Sequence, residues 1–323
     1  MKIISHPVLC NYYLTYRCNA KCDFCDIWER PSPFVSMEQV KNNLMDLKKI
    51  GVKVIDFTGG EPLLHKDIAD ILLLAKGMGF ITTVTTNAIL YPRKAESLKG
   101  LIDMLHFSLD SFSREEHDRL RGVNCYDKVI ESIEVSARLG ERPDILFTVF
   151  EDNLGQIEKV YEEICVPNNL MLLLNPAFSY NDITATLSEN AMKNLLSWGK
   201  KKLVYLNEAF IELRRQGGNH IENPVCKAAS TTLVISPDNE LVLPCYHLGI
   251  KSYPITGKLY ELYYSREVQQ LVKLEGTYDQ CEGCTINCYM QPSFSVEVNR
   301  YFWKALGSTL KYSLNKGAWK NLL

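Results

Sequence analysis

The sequence predicts an α/β fold. Six strands alternate with helices and curl into a barrel or part of one, followed by a smaller cysteine-rich region built on a β-hairpin. Three observations predict it. Six short apolar runs are separated by segments of helical periodicity, the pattern of parallel βα units. Glycines and short polar residues recur at the carboxyl ends of those runs, where βα barrels collect their chemistry. Beyond residue 215 the pattern changes to paired alternating runs flanked by cysteines. Periodicity alone leaves a doubly wound sheet open as the alternative.

The elements follow in order. Residues 8–16 (VLCNYYLTY) read as the first strand. Ser36 and Gln39 have capping-box spacing, so a helix begins there; Val40, Leu44 and Leu47 mark its buried face and Gly51 its end. Residues 52–57 form the second strand, and Ile68, Ile71, Leu72 and Ala75 mark the next helix, closed near Gly77 and Gly79. Residues 80–85 are β-branched and give the third strand. A weaker helix near 92–99 precedes the fourth strand, 104–109. Val129, Ile130, Ile133 and Ala137 mark a helix before the fifth strand, 145–150. Ile157, Val160, Tyr161 and Ile164 mark another before the sixth, 170–174. Right-handed crossovers between such units favour a curled sheet. Around Pro237, Asp238 and Asn239 two alternating runs predict a hairpin.

Composition sets the class. The chain has 323 residues, a net charge of −2 and eleven cysteines, so nothing global argues for nucleic acid. No signal-peptide pattern and no apolar run of membrane-spanning length is present, and a cytoplasmic location is expected. In a reducing, oxygen-poor compartment, clustered cysteines read as metal ligands rather than disulfides.

Cys18, Cys22 and Cys25 stand at C-x3-C-x2-C. Three thiolates on a four-iron cluster leave one iron open to a reactant. A zinc site or a redox pair made by Cys22 and Cys25 are the other readings of the spacing. The stretch resembles the signature of the radical S-adenosylmethionine (SAM) enzymes, with Phe24 at the aromatic position, and Gly59-Gly60-Glu61-Pro62 resembles that family's second motif. The resemblance spans about residues 8–175 and implies an open, partial (β/α)6 TIM-like barrel. It also implies a [4Fe-4S] cluster whose open iron binds SAM, reductive cleavage to a 5′-deoxyadenosyl radical, and hydrogen abstraction from a substrate. A flavodoxin- or ferredoxin-like protein would donate the electron. Gly59, Gly60 and Glu61 would receive the SAM amino group; Thr86, Asn87, Ser108 and Asp110 would contact the cofactor, and Arg121 its carboxylate. Helix-capping turns and a surface ion pair are the bland readings of the same residues.

A second set, Cys226, Cys245, Cys281 and Cys284, has Cys288 just beyond. Four thiolates suit structural zinc. Beside the first motif, the set resembles the auxiliary-cluster domain of the SPASM and Twitch subfamilies. Too few cysteines are present for two clusters, so the resemblance implies one auxiliary [4Fe-4S] cluster, with Cys288 as a substitute ligand or a free thiol. Cys10, Cys125 and Cys165 read as buried small hydrophobes. The domains are then the barrel (1–215), the auxiliary-cluster domain (216–290) and a basic amphipathic helical tail (291–323) broken at Gly307 and Gly317, for which weak membrane-surface contact is the sharper reading.

The substrate is less marked. Tyr12, Tyr13 and Tyr16 lie on the first strand, with alternate members directed into the barrel, and Asn153 and Asn175 fall near later strand ends. Glu151, Tyr246 and His247 are the candidate catalytic residues. The expected activity is oxidation or modification of a small-molecule, cofactor, tetrapyrrole or other natural-product precursor. A peptide-modifying enzyme is the alternative, and a non-catalytic zinc or iron–sulfur scaffold the alternative from another class.

Overall fold

The computed structural model describes residues 5–180 and 185–316. Its ten strands form one sheet in the order β10-β9-β8-β1-β2-β3-β4-β5-β6-β7. The six predicted strands are β1 (Leu9–Tyr13), β2 (Val54–Thr58), β3 (Ile81–Thr86), β4 (Met104–Ser108), β5 (Asp144–Val149) and β6 (Leu172–Pro176). They pair in parallel and in chain order. A doubly wound sheet would reverse its order at a switch point. This run does not reverse, so the sheet is an arc of a TIM-like barrel, and its two edge strands do not pair with each other.

The remaining strands were not all expected. β7 (Val204–Tyr205) extends the arc beyond β6. The predicted hairpin forms as β8 (Thr232–Ile235) and β9 (Glu240–Leu243), and β10 (Lys251–Pro254) adds a third strand. β8 pairs in parallel with β1, so the cysteine-rich region continues the barrel sheet. The hairpin turn is held by Asn239, whose φ is 60°. Its Oδ1 accepts from Asn43 Nδ2 at 2.7 Å and its Nδ2 donates to the Ile255 carbonyl.

The first helix, Met37–Ile50, carries the predicted capping box, and Gly51 ends it at a φ of 104°. Val40, Leu44 and Leu47 are fully buried beneath the sheet with Ile55 and Phe57. Each such side chain is worth about 1.5–3 kcal/mol on removal from water. Tyr12 joins this outer layer, its hydroxyl accepting from Asn43 Nδ2 at 2.7 Å, while Tyr13 stacks on Tyr246 at 4.6 Å. The segment predicted as a helix through Ile157 and Ile164 winds irregularly, ending in a π-helical turn at Val160–Cys165. Cys10, Cys125 and Cys165 are buried as expected.

The C-terminal tail differs from expectation. Arg300–Lys316 is one helix that passes through Gly307 without a break. Gly317 lies outside the described residues. The helix lies against the Glu208–Arg215 helix and β7. Its lysines turn inward. Lys316 Nζ meets the fully buried Asp144 carboxylate at 2.6 Å, which also accepts from Tyr312 Oη at 2.6 Å. Lys311 caps the carbonyls of Gly199 and Lys201, and Lys304 lies 3.6 Å from Glu212. The basic residues expected to face water or a membrane therefore fasten the helix over the sheet edge. No helix among the described residues is long and apolar enough to cross a membrane.

Candidate active site

The loop after β1 carries Cys18, Cys22 and Cys25. It is held almost wholly by backbone. Gly60 N donates to the Thr15 carbonyl at 2.8 Å and Glu61 N to Arg17 at 2.9 Å; Lys21 N and Asp23 N reach the carbonyls of Arg121 and Leu120. A Cβ on Gly59 would sit 2.1 Å from the Thr15 oxygen, and one on Gly60 2.2 Å from the Arg17 oxygen. Only glycine permits so close an approach.

Nitrogen donors face the sulfurs. Ala20 N lies 3.4 Å and Asn87 Nδ2 3.9 Å from Cys18 Sγ, and Arg121 Nη1 lies 3.8 Å from Cys22 Sγ. Burial pushes the Cys18 thiol up to about 12 and raises Cys22 and Cys25 as well, although Arg121 opposes the rise at Cys22. Thiols held so high become thiolates only where a cation replaces the proton, which is the chemistry of metal ligation. Hydrogen bonds to sulfur are what tune a cluster. The donor set thus fits an iron–sulfur cluster.

The residues expected around SAM gather beside this loop, but several are bound to one another. Glu61 is fully buried; Oε1 accepts from Leu63 N and Thr86 Oγ1, and Oε2 from Asn87 N at 2.9 Å. Its carboxylate therefore braces the end of β3 against the Gly-Gly turn instead of standing open to an ammonium group. Asp110 and Arg121, expected to meet the cofactor separately, form an ion pair at 2.6 Å. Asp110 Oδ1 also accepts from Thr148 N. The Arg121 guanidinium lies over Phe24 at 5.3 Å, and its Nε is buried without a hydrogen-bond partner. Asn87 Nδ2 bonds Asn19 Oδ1 at 2.8 Å, and Ser108 is buried at the end of β4.

Glu151 is corrected outright. Its carboxylate accepts from Ser188 N at 2.9 Å and Ser188 Oγ at 2.6 Å on the exposed surface. It braces the start of the Glu189–Trp198 helix. Asn153 brackets Asp110, donating to the carbonyls of Asp110 and Thr148. His117 was not anticipated. It is fully buried under Asp110, accepts from Asp110 N at 3.2 Å, and burial pulls it down to about 3, so it stays neutral.

The second cysteine set is built around Asn219, which sequence reading also missed. Its Oδ1 accepts from Cys226 N at 3.0 Å; its Nδ2 donates to the carbonyls of Gly276 and Cys281. Its backbone exchanges bonds with Gly283 N and the Cys284 carbonyl. A Cβ on the preceding Gly218 would stand 2.2 Å from the Gly283 oxygen. Cys226, Cys245 and Cys284 act on one another electrostatically, and burial pushes Cys245 up to about 12. Arg214 lies beside Cys284 and donates to the carbonyls of Pro176 and Ala177 and to Asn287 Oδ1. Asn287 Nδ2 in turn reaches Asn175 Oδ1 at 2.7 Å, tying this set to the end of β6. Cys288 lies near Asp56, Tyr13 and Tyr289. Among the described residues no three His, Cys, Asp or Glu side chains converge on the position of a single metal ion.

Aromatic rings fill the space between the two sets. Tyr246 stacks on Tyr13, and its ring centroid is 5.6 Å from Tyr16 and 5.2 Å from His247. His247 contacts Tyr180 at 4.7 Å and Phe178 at 5.4 Å. Burial pulls His247 down to about 4, which keeps the imidazole neutral. Tyr180 Oη lies 3.4 Å from the Phe24 carbonyl, next to Cys25.

The radical SAM superfamily model matches residues 12–164, from β1 through the strands that surround the first cysteine loop. Those residues form a radical SAM superfamily domain. Members use a [4Fe-4S] cluster and SAM, and the donor set described above fits the cluster. A probable GTP 3′,8-cyclase of Sulfurisphaera tokodaii is 27% identical over 71% of this chain and 78% of its own length. A probable GTP 3′,8-cyclase of Saccharolobus islandicus is 32% identical, but the match spans only half of that protein and 46% of this chain. Among solved structures, Streptococcus suis SuiB bound to precursor peptide SuiA aligns at a TM-score of 0.67 with 19% identity, over 82% of this chain and 66% of SuiB. Native anSMEcpe, bound to AdoMet and the Cp18Cys peptide, aligns at 0.65 with 16% identity, over 98% of this chain and all of that one. These structures share the fold.

Proposed function

We propose that this enzyme cleaves SAM reductively at a cluster held by Cys18, Cys22 and Cys25, and abstracts hydrogen from a substrate seated in the aromatic space between the two cysteine sets. When bound, cluster and SAM together supply a 5′-deoxyadenosyl radical. The observation that carries the reading is the cysteine loop, with N–H donors directed at its sulfurs and closed on Gly59 and Gly60. The chain's own residues have three tasks. Glu61, Thr86 and Asn87 hold the cofactor-side strand end in register; Asp110 and Arg121 fix the wall beside Cys22; Tyr13, Tyr246, Phe178 and Tyr180 exclude water from the reacting centre. Cys226, Cys245, Cys281 and Cys284 would hold an auxiliary cluster.

For the substrate we favour a small, weakly charged molecule. Two cations bordering the space are already paired, Arg30 with Asp26 at 3.5 Å and Arg121 with Asp110, and Arg214 is committed to the carbonyls of Pro176 and Ala177 and to Asn287. A nucleoside triphosphate, which the names of the cyclase relatives bring to mind, wants several unpaired cations. The cyclase relatives do favour rearrangement as an outcome alongside net oxidation. A peptide substrate is the second reading, favoured by the alignment of nearly the whole chain with two peptide-bound structures. A flavodoxin- or ferredoxin-like donor in the cytoplasm completes the proposal.

The test is anaerobic incubation of cluster-reconstituted protein with SAM and dithionite, following 5′-deoxyadenosine by chromatography. Wild type is expected to form it and Cys22→Ala to form none. No product from wild type carrying its full iron content would overturn the reading.

A further inference from the structure

Buried polar side chains in native proteins are almost always hydrogen-bonded. Two consecutive residues at the centre of the aromatic space are not. Among the described residues, Tyr246 Oη and His247 Nδ1 are buried without a hydrogen-bond partner, and Tyr246 is only 6% exposed. Neither ring is free to turn away. Tyr246 is stacked on Tyr13 with planes 18° apart, its backbone N donates to Tyr289 Oη at 3.0 Å, and the Arg30 guanidinium lies 4.9 Å from its centroid. His247 is gripped edge-on by Phe178 and Tyr180, which follow β6. The two atoms, unpaired among the described residues, are therefore preorganised toward a ligand.

We propose that Tyr246 and His247 are a recognition pair for a neutral amide carried on an aromatic or apolar part of the substrate. The proposal rests on the hydrogen-abstraction reading above and names the substrate chemistry of the same site. A tyrosyl hydroxyl both donates and accepts, and an imidazole Nδ1 does one or the other according to tautomer. An amide offers the complementary N–H and C=O on one rigid plane. A carboxylate would offer acceptors only and would meet the nearby Asp26, which acts electrostatically on both residues. Phe178 and Tyr180 provide the faces against which a flat apolar group packs. A peptide bond and an amide-bearing small molecule share this chemistry.

The experiment is saturation-transfer NMR on anaerobically reconstituted wild-type enzyme with SAM. The probes are N-acetyl-L-tyrosinamide, the capped tripeptide acetyl-Gly-Tyr-Gly-amide, N-acetyl-L-tyrosine and GTP. The amide probes are expected to bind at least about tenfold more tightly than N-acetyl-L-tyrosine or GTP. Tyr246→Phe and His247→Phe, which keep a ring in place, are each expected to weaken amide binding by about three- to tenfold, the worth of one net hydrogen bond, with iron per chain retained. Tighter tripeptide binding would assign the peptide source, and tighter tyrosinamide binding the small-molecule source. Equal binding of amide and carboxylate, preference for GTP, no binding of any probe, or unchanged affinity in both variants would overturn the proposal. Binding is read without turnover, so absence of 5′-deoxyadenosine from wild type counts against the underlying reading alone.

Discussion

The two cysteine sets solve one problem by opposite means. The first packs three thiols into eight residues and holds them from outside, by backbone pressed onto Gly59 and Gly60 and by Asn87 and Arg121 reaching the sulfurs. The second draws its thiols from distant segments and holds them from inside, through the side chain of one buried asparagine. The first arrangement depends on shape and charge; the second depends on a single hydrogen-bonding hub. Short sequence spacing makes a site that survives the loss of one bond, whereas long spacing concentrates the risk at the hub.

That contrast is open to attack at three points. The largest effect is expected from Gly60→Ala. The added methyl would overlap two backbone carbonyls, Arg17 at 2.2 Å and Tyr16 at 2.4 Å, and neither can swing aside. Iron per chain should fall by about half as the first cluster is lost, with stability down by roughly 3 kcal/mol or more; iron analysis and urea denaturation read both. Asn219→Ala comes next. It strands one N–H and two carbonyls, at about 1–3 kcal/mol for each group that finds no water. Iron should leave the second set while the first, reporting through 5′-deoxyadenosine, keeps its own. Asn219→Asp retains the acceptor for Cys226 N and should fall between. If both variants lose iron equally from both sets, the hub description is wrong.

The third effect is acid sensitivity confined to the first set. Burial holds His117 at about 3 in the folded protein against an ordinary 6.5. The unfolded chain therefore binds the extra proton first as pH falls. The resulting stability is complete above about 6.5 and is lost progressively below it, by about 2 kcal/mol at pH 5. Urea midpoints at pH 7 and 5 should separate in wild type and draw together in His117→Gln.

Much of this was legible in the chain itself, for identifiable reasons. The six parallel strands declared themselves because each is an apolar run cut off by glycine or a helix cap, as at Ser36 and Gly51. The first cysteine loop was legible because its ligands are neighbours in sequence. Asn219 and His117 were not, because their roles exist only through partners many residues away. Glu151 misled because a carboxylate after a strand end looks the same whether it faces a cavity or caps the next helix. The tail misled in the same way. Its lysines read as solvated until Asp144, at the start of β5, appeared beneath Lys316. Charge patterning records which residues need a partner and says nothing of which distant one they find.

The position of β1 sets an order of assembly. Leu9 pairs with Val54 on one side and with Thr232 on the other. One flank of this strand stays bare until the hairpin, far along the chain, has folded onto it. Such long-range parallel pairing forms slowly. The cysteine loop hangs directly from that strand, yet its own partners, Thr15, Arg17, Asn87, Leu120 and Arg121, all precede the hairpin in the chain. The second cysteine set is the one that waits, since its seat forms only when Asn219 meets Gly276 and Gly283.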